Sequence, residues 1–227
     1  MKAWVLHGVD QLRFEDMGKA VPKAGEALVA VRAAGICGSD IPRIYRTGAH
    51  KFPLIPGHEF SGEVAALGEG ADSRWLGERV GIFPLIPCGK CGPCRKRQYE
   101  MCRDYSYLGS RRDGGFAEYM RIPAEAAAQG NLMVINEKVD FGEAALLEPA
   151  SCVMNGQSRV NIRLNDTVLV IGAGPIGLMH ALIAKASGAG RVYMRDLSEE
   201  RLRQCTEIDN DLVPVYGQNL LEQIMDF

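Results

Sequence analysis

Thr167-Val168-Leu169-Val170-Ile171-Gly172-Ala173-Gly174-Pro175-Ile176-Gly177 decides how the second part of this chain folds. The first five residues read as a compact buried strand, and the glycines after it form G-x-G-x-x-G where a helix opens. Gly172 makes the tight turn, Gly174 lets a pyrophosphate approach the backbone, and Gly177 lets helix and strand pack closely. Gly172, Gly174, Pro175, Ile176 and Gly177 are therefore the candidate pyrophosphate-binding residues, with the helix N-terminus stabilising negative charge. Asp196 ends the next strand, 19 residues beyond Gly177. A carboxylate there accepts hydrogen bonds from the ribose hydroxyls of NAD and repels the extra phosphate of NADP. Arg195 and Arg201 flank it and pull the other way; the reading is NAD, with Arg201 counted among the cofactor residues.

Working outward, residues 175–187 read as an apolar helix closed by Gly188, and 191–196 as a second strand. Ser198 caps the next helix, with Glu199 and Glu200 placed well for its dipole. Residues 212–216 read as a third strand weakened by Pro214, and 219–227 as a helix. Upstream, 142–147 is a short helix and Glu148-Pro149 opens another. Before about residue 140 the pattern changes to short β-like runs between glycine and proline, among them 27–33, 60–67 and 79–84. Such runs suit an irregular β-barrel or sandwich. The alanine-rich 124–130 fits a helical turn or a loop extension. The domains are expected at 1–150 and 151–227.

Composition narrows the class. Hydrophobic residues make up 47% and charged residues 24%, as in a globular protein with a real core. A net charge of -2 offers no general attraction to nucleic acid or to an anionic membrane. The apolar run 168–184 is broken by glycines, Pro175 and His180, so a strand and helix explain it better than a membrane span. No signal-peptide pattern opens the chain, and a reducing cytoplasm is the expected location.

Cys88, Cys91, Cys94 and Cys102 have the spacing of a closed structural zinc site, in which one tight loop supplies three thiolates. Gly89, Gly92 and Pro93 suit that loop. Seven cysteines, an odd number, argue against a disulfide framework. Arg95-Lys96-Arg97 beside the loop lacks the wider basic surface of a nucleic-acid module. A catalytic zinc needs about three protein ligands and an open position. Cys37 and His58 supply a thiolate and an imidazole, and Glu59 or Glu148 a carboxylate.

Five stretches carry a family resemblance: GICGSD at 35–40, PGHEFSGEV at 56–64, the 88–102 lobe, LLEPAS at 146–151 and VIGAGPIG at 170–177. Over essentially its whole length the chain resembles the zinc-dependent medium-chain dehydrogenases/reductases, in the polyol dehydrogenase branch. The fold this implies is mixed α/β: a GroES-like catalytic domain, an irregular β-barrel, followed by the first half of a Rossmann doubly wound domain. By the same resemblance Cys37, His58 and Glu59 hold a catalytic zinc, and Glu148 is a fourth ligand or sits behind the bound water. Ser39 relays the substrate proton, and Asp40 orients His58. Two zinc ions per chain and NAD are the implied cofactors, a small polyol or polyol phosphate the implied substrate, and homo-oligomers the implied assembly of full-length members. Residues 41–45, 48–50 and 108–119 resemble the polyol-phosphate dehydrogenases of that branch in particular. Arg111 and Arg112 are accordingly candidate phosphate binders, set against pairing with carboxylates or facing water.

The sequence departs from the family pattern in showing no fourth strand of the doubly wound sheet and no C-terminal return. The expectation is therefore a truncated form or a fragment, poor in turnover. The competing readings are sorbitol-like or threonine-like dehydrogenases and a non-catalytic zinc-binding fragment. Among the remaining residues, Cys152 and Cys205 read as packing thiols, His180 as a satisfied core residue and His50 as a pocket candidate. His7 has no partner pattern.

Overall fold

The computed structural model describes residues 1–18 and 20–217, and the chain divides into two units, Met1–Glu148 and Pro149–Phe227. In the first, β1 (Lys2–Leu6) and β2 (Leu12–Asp16) form an antiparallel hairpin. β3 (Ala27–Gly35) leads into the short helix α1 (Asp40–Pro42), which continues as a wide helical turn over Arg43–Thr47. β4 (Glu59–Leu67) returns against β3, followed by β5 (Arg79–Ile82) and β6 (Leu85–Ile86). A cysteine-rich excursion holds the one-turn helix α2 (Gly92–Arg95), and β7 (Ser106–Tyr107) ends it by pairing with β6. β8 (Tyr119–Ile122), α3 (Ala124–Gln129) and β9 (Leu132–Val134) follow.

The main sheet has the order β8-β3-β4-β5-β9, all antiparallel. β3 and β4 are its centre, and four consecutive residues of β4, Glu59 to Gly62, are buried, as in a strand covered on both faces. Register irregularities at Leu28/Val29 and Val31/Ala33 bend the pair. Phe60, Val64, Val80, Ile82, Leu108, Ile122 and Leu132 fill the core behind it. Each such side chain stabilises the fold by about 1.5–3 kcal/mol on burial.

The sequence reading differs from the structure in detail. The expected strand 79–84 ends at Ile82, and Phe83 instead donates its N–H to the Asn131 carbonyl. The alanine-rich stretch is a helix, α3, ended by Gly130 in the left-handed region at φ 87°. The helix expected over 142–147 is α4 (Phe141–Ala145), started by a capping box in which Asp140 and Glu143 satisfy each other's backbone N–H.

α5 (Leu147–Gln157) carries the chain into the second unit. There β10 (Thr167–Ile171), α6 (Pro175–Ala186), β11 (Arg191–Arg195), α7 (Glu199–Ile208) and β12 (Val213–Val215) alternate, and the strands form a parallel sheet of order β10-β11-β12. Ser198 caps α7 by accepting from the Arg201 N–H. β12 is shorter than expected and keeps Pro214 on an edge strand, where a missing donor is tolerated. Val170, Ala181, Val192, Met194, Leu202 and Leu212 form a separate core. The helix expected over 219–227 lies outside the described residues. Among the described residues no helix is long and apolar enough to cross a membrane.

Candidate functional site

Two clusters of metal-type donors lie in the first unit: Cys88, Cys91, Cys94 and Cys102, and Cys37, His58 and Glu59. In the first, Gly89 turns the chain with φ 71°, α2 carries Cys94 inward, and a helical turn over Tyr99–Met101 returns Cys102. No disulfide joins the four. Their sulfurs stand 3.3 Å apart for Cys91–Cys94, 3.9 Å for Cys91–Cys102 and 4.0 Å for Cys88–Cys94. A tetrahedron with metal–sulfur bonds of about 2.3 Å has edges of about 3.8 Å, so the set fits a zinc ion. The N–H groups of Lys90 and Cys91 draw the Cys88 thiol down to about 6, whereas burial pushes the Cys94 thiol up. Cys88 is thus the thiol readiest to bind as thiolate.

The second cluster is assembled by the sheet. β3 ends at Gly35, directly opposite Glu59 at the start of β4. A Cβ at position 35 would overlap the Glu59 carboxylate, so glycine is what makes room for it. His58 precedes that strand and Cys37 follows the other. Their donor atoms all lie within 4.8 Å of one another. His58 and Glu59 are buried, at 4% and 6% exposure.

Asp40 organises the cluster from below. Its side chain is fully buried and accepts hydrogen bonds from the Cys37 N–H at 3.1 Å and from Arg43 Nη1 at 2.7 Å. His58 Nδ1 stands 3.5 Å from Asp40 Oδ1 and is a buried atom without a hydrogen bond. A proton on Nδ1 is favoured beside that carboxylate and leaves the Nε2 lone pair for a metal. Burial pushes the Glu59 carboxyl up from its ordinary value. His58 and a hydrogen bond from Cys37 pull it down, and the Glu148 and Asp40 carboxylates push it up further. Three carboxylates and a thiol around one imidazole form a donor set that a divalent cation would stabilise. Glu148 is outside the three-donor set, and its Oε1 accepts from the Tyr107 hydroxyl at 3.0 Å. The Tyr107 ring meets His58 edge-on at 5.7 Å.

A cleft of about 730 Å³ opens over this cluster, lined by Ser39, Arg43, His50, His58, Glu100 and Tyr107 among others. The Ser39 N–H points to Cys37 Sγ at 3.5 Å.

In the second unit Gly172 has φ 111°, and a Cβ at Gly177 would strike the Gly172 carbonyl. Open space lies beside Gly174, where α6 begins at Pro175. Asp196 closes the turn from the other side: its carboxylate accepts from the Ala173 N–H at 2.7 Å and the Ser198 N–H at 2.8 Å. Those two hydrogen bonds hold it well below the usual carboxylate range, with Arg201 assisting. Gly172, Asp196, Leu197 and Arg201 line a cavity of about 540 Å³.

For Arg111 and Arg112 the sequence left phosphate binding, carboxylate pairing and solvent exposure open, and for Cys152 the structure corrects the expectation. Arg112 is committed to Ser106 Oγ at 2.9 Å and Glu125 Oε1 at 2.6 Å, and Arg111 lies over the Tyr105 ring at 4.6 Å. Neither guanidinium lines the cleft. Cys152 is exposed, not packed, whereas Cys205 is buried in the second core. His50 does line the cleft, and His180 meets Gln157 at 3.2 Å. Sequence reasoning missed Arg43, although its place three residues after Asp40 on one helical turn was a usable signal. It also missed Gly35 and Glu100, which only the folded chain brings to the site.

A model of the alcohol dehydrogenase GroES-like domain matches residues 23–131. Galactitol 1-phosphate 5-dehydrogenase of Escherichia coli (strain K12) is 39% identical over 177 residues, covering 78% of this chain and 50% of that protein. Sorbitol dehydrogenase of Bacillus subtilis (strain 168) is 33% identical over 231 residues, covering 99% and 64%. Among solved structures, a zinc-binding dehydrogenase from Sinorhizobium meliloti 1021 bound to NADP superposes with a TM-score of 0.89 at 30% identity, covering 99% of this chain and 65% of that one. The chain thus spans between half and two thirds of the length of these relatives.

Proposed function

We propose that the chain is a zinc-dependent medium-chain dehydrogenase of the kind that carries the alcohol dehydrogenase GroES-like domain, and that it serves the NAD-linked oxidation of a secondary hydroxyl on a polyol or polyol phosphate. The observation that carries this reading is the meeting of a thiol, a buried imidazole and a buried carboxylate within 4.8 Å beside an open cleft. Cys37, His58 and Glu59 would hold one zinc ion, with Glu148 the candidate fourth donor. The four cysteines would hold a second ion. Zinc, when bound, supplies a Lewis acid that lowers the pKa of an alcohol, and NAD supplies the hydride acceptor.

The residues of the chain do the rest. Asp40 fixes the His58 ring and is itself fixed by Arg43. Ser39, exposed at the cleft, would relay the hydroxyl proton, its Oγ accepting it while handing its own proton on to solvent. Tyr107 and Glu148 form a hydrogen-bonded pair beside the imidazole that orients neighbouring hydroxyls. In the second unit, the glycine turn and the α6 N-terminus receive the pyrophosphate. Asp196 favours NAD over NADP, since its lowered carboxyl is anionic where a ribose phosphate would sit. The test is metal analysis of the purified protein together with NAD-coupled assays on polyols, polyol phosphates and threonine. About two zinc ions per chain and polyol-dependent NADH formation support the reading. One ion per chain and no turnover with any of these alcohols sinks it.

A further inference from the structure

The four-cysteine lobe does more than hold itself together, because one of its acidic residues lines the cleft beside His58. Glu100 lies on the helical turn Tyr99–Met101, between the third and fourth cysteines, and lines the same cleft as Ser39 and His58. Its carboxylate is exposed and has no ion pair or hydrogen bond among the described residues. Of the other charged groups there, one pair is compensated, and Glu148, which accepts from the lining Tyr107 hydroxyl, adds a further carboxylate. Arg43 is paired at 2.7 Å with Asp40, which is fully buried, so the two charges cancel at the wall. Cys37 as thiolate and Glu59 as carboxylate balance a divalent ion. His50 is a further basic side chain in the lining. Arg112 is engaged by Ser106 and Glu125, whereas Arg111 lies over the ring of Tyr105, itself a lining residue.

We propose that Glu100 is a specificity-determining residue: it makes the cleft select an unphosphorylated polyol over the corresponding phosphate ester. This rests on the polyol dehydrogenase reading above. The chemistry is that of a carboxylate with no ion-pair partner among the described residues, carried by a residue of the cleft lining. A carboxylate accepts charge-assisted hydrogen bonds from polyol hydroxyls, with two oxygens able to take neighbouring hydroxyls. Toward a phosphate monoester, which carries close to two negative charges at pH 8.5, the same group is repulsive. Across several ångströms of solvated cleft that repulsion weakens the ester by about five- to tenfold. Hydroxyl-bearing neighbours, Ser39, Thr47, Tyr105, Tyr107 and Ser110, complete a lining suited to a neutral chain of hydroxyls.

The experiment uses the zinc-loaded full chain with galactitol and galactitol 1-phosphate as probes. NAD-coupled kcat/KM and direct calorimetric binding are both measured, for the parent and for Glu100→Gln and Glu100→Lys. The proposal expects the parent to favour galactitol. Glu100→Gln should raise kcat/KM or affinity for the ester by about five- to tenfold, lower it for galactitol, and leave zinc content unchanged. Glu100→Lys should carry the ester further in the same direction, and raising salt should narrow every difference. A parent that prefers the ester, or a Glu100→Gln effect equal on both probes, overturns the proposal while leaving the dehydrogenase reading standing. Failure to bind or oxidise either probe overturns the proposal, and the dehydrogenase reading falls with it only when the wider panel of polyols, polyol phosphates and threonine fails as well.

Discussion

The two donor clusters of the first unit differ in what holds them when no ion is present. Between Cys88 and Cys102 the only buried residues are Cys94 and Cys102 themselves. The lobe has no apolar core, so beyond the backbone hydrogen bonds of its turns it stays in place through what the sulfurs bind. The Cys37–His58–Glu59 cluster instead hangs from β3 and β4, the central pair of a sheet packed on Phe60, Val64 and Val80. Its scaffold is paid for by hydrophobic burial, and an ion there is free to serve chemistry. Closure and scaffold therefore divide one kind of metal site into a structural and a reactive use.

Removing the lobe's ligands is the strongest way to break this contrast. Cys91→Ser with Cys94→Ser should bring zinc from about two ions per chain to about one. It should also forfeit on the order of 10 kcal/mol of metal-coupled folding in the lobe. Hydrogen exchange across residues 88–102 should rise to that of an unprotected chain while β3 and β4 remain protected. Retained protection in 88–102 after this change would show that something other than the sulfurs and their ion holds the lobe.

Cys37→Ala should look opposite in every readout but zinc count. One ion is again lost, yet protection at 88–102 stays, and the melting transition moves by no more than about 2 kcal/mol of stability. Polyol oxidation, where the parent has it, should fall by roughly a thousandfold or more, since several kcal/mol of charge stabilisation at the alcohol oxygen go with the ion. A melting shift as large as the lobe variant's would erase the distinction.

Asp40→Asn separates scaffold from chemistry more finely. The carboxylate is fully buried, and its loss leaves Arg43 with an unpaired charge at the wall of the cleft. Breaking a buried pair in this way costs about 3–5 kcal/mol. Because the imidazole also loses its charged neighbour, zinc affinity of this cluster should fall about 10- to 100-fold. The lobe's ion should be unaffected. Equal weakening of both ions in a competition titration would mean that Asp40 supports the whole unit and not His58.

The same contrast governs what could be read from the sequence. The lobe and the glycine turn are local: spacing alone brings four sulfurs together, and Gly172 and Gly177 act on each other within six residues. Their geometry was legible because few other arrangements satisfy it. Cys37 comes from one stretch and the adjacent His58 and Glu59 from another, so their donor chemistry made them candidates and only the resemblance joined them into one set. The register that joins them depends on Gly35 facing Glu59, which no local pattern announces. Asp196 was read as a ribose ligand, but its two backbone hydrogen bonds also clamp the turn at Ala173. That second task depends on how β11 lies beside β10 and was invisible in one dimension. Cleft lining was least legible. Glu100 and Tyr107 reach it because the lobe folds back, whereas Arg112, attractive by sequence, is drawn away to Glu125.

Arg112→Gln is the smallest effect expected, and it sharpens the assignment of charge within the first unit. The guanidinium and Glu125 are both about half exposed, so their ion pair contributes about 0–1 kcal/mol. The hydrogen bond to Ser106 Oγ steadies the end of β7, next to Tyr107. Loss of that bond should lower stability slightly and loosen the Tyr107–Glu148 pair, changing kcat for any polyol by less than about threefold. The ratio of kcat/KM for galactitol 1-phosphate to that for galactitol should not move, because the side chain does not face the cleft. A selective rise in KM for the ester would instead put a phosphate within reach of position 112. That would require Arg112 to leave Glu125 when substrate binds, and Glu125→Gln should then improve the ester's KM by freeing it.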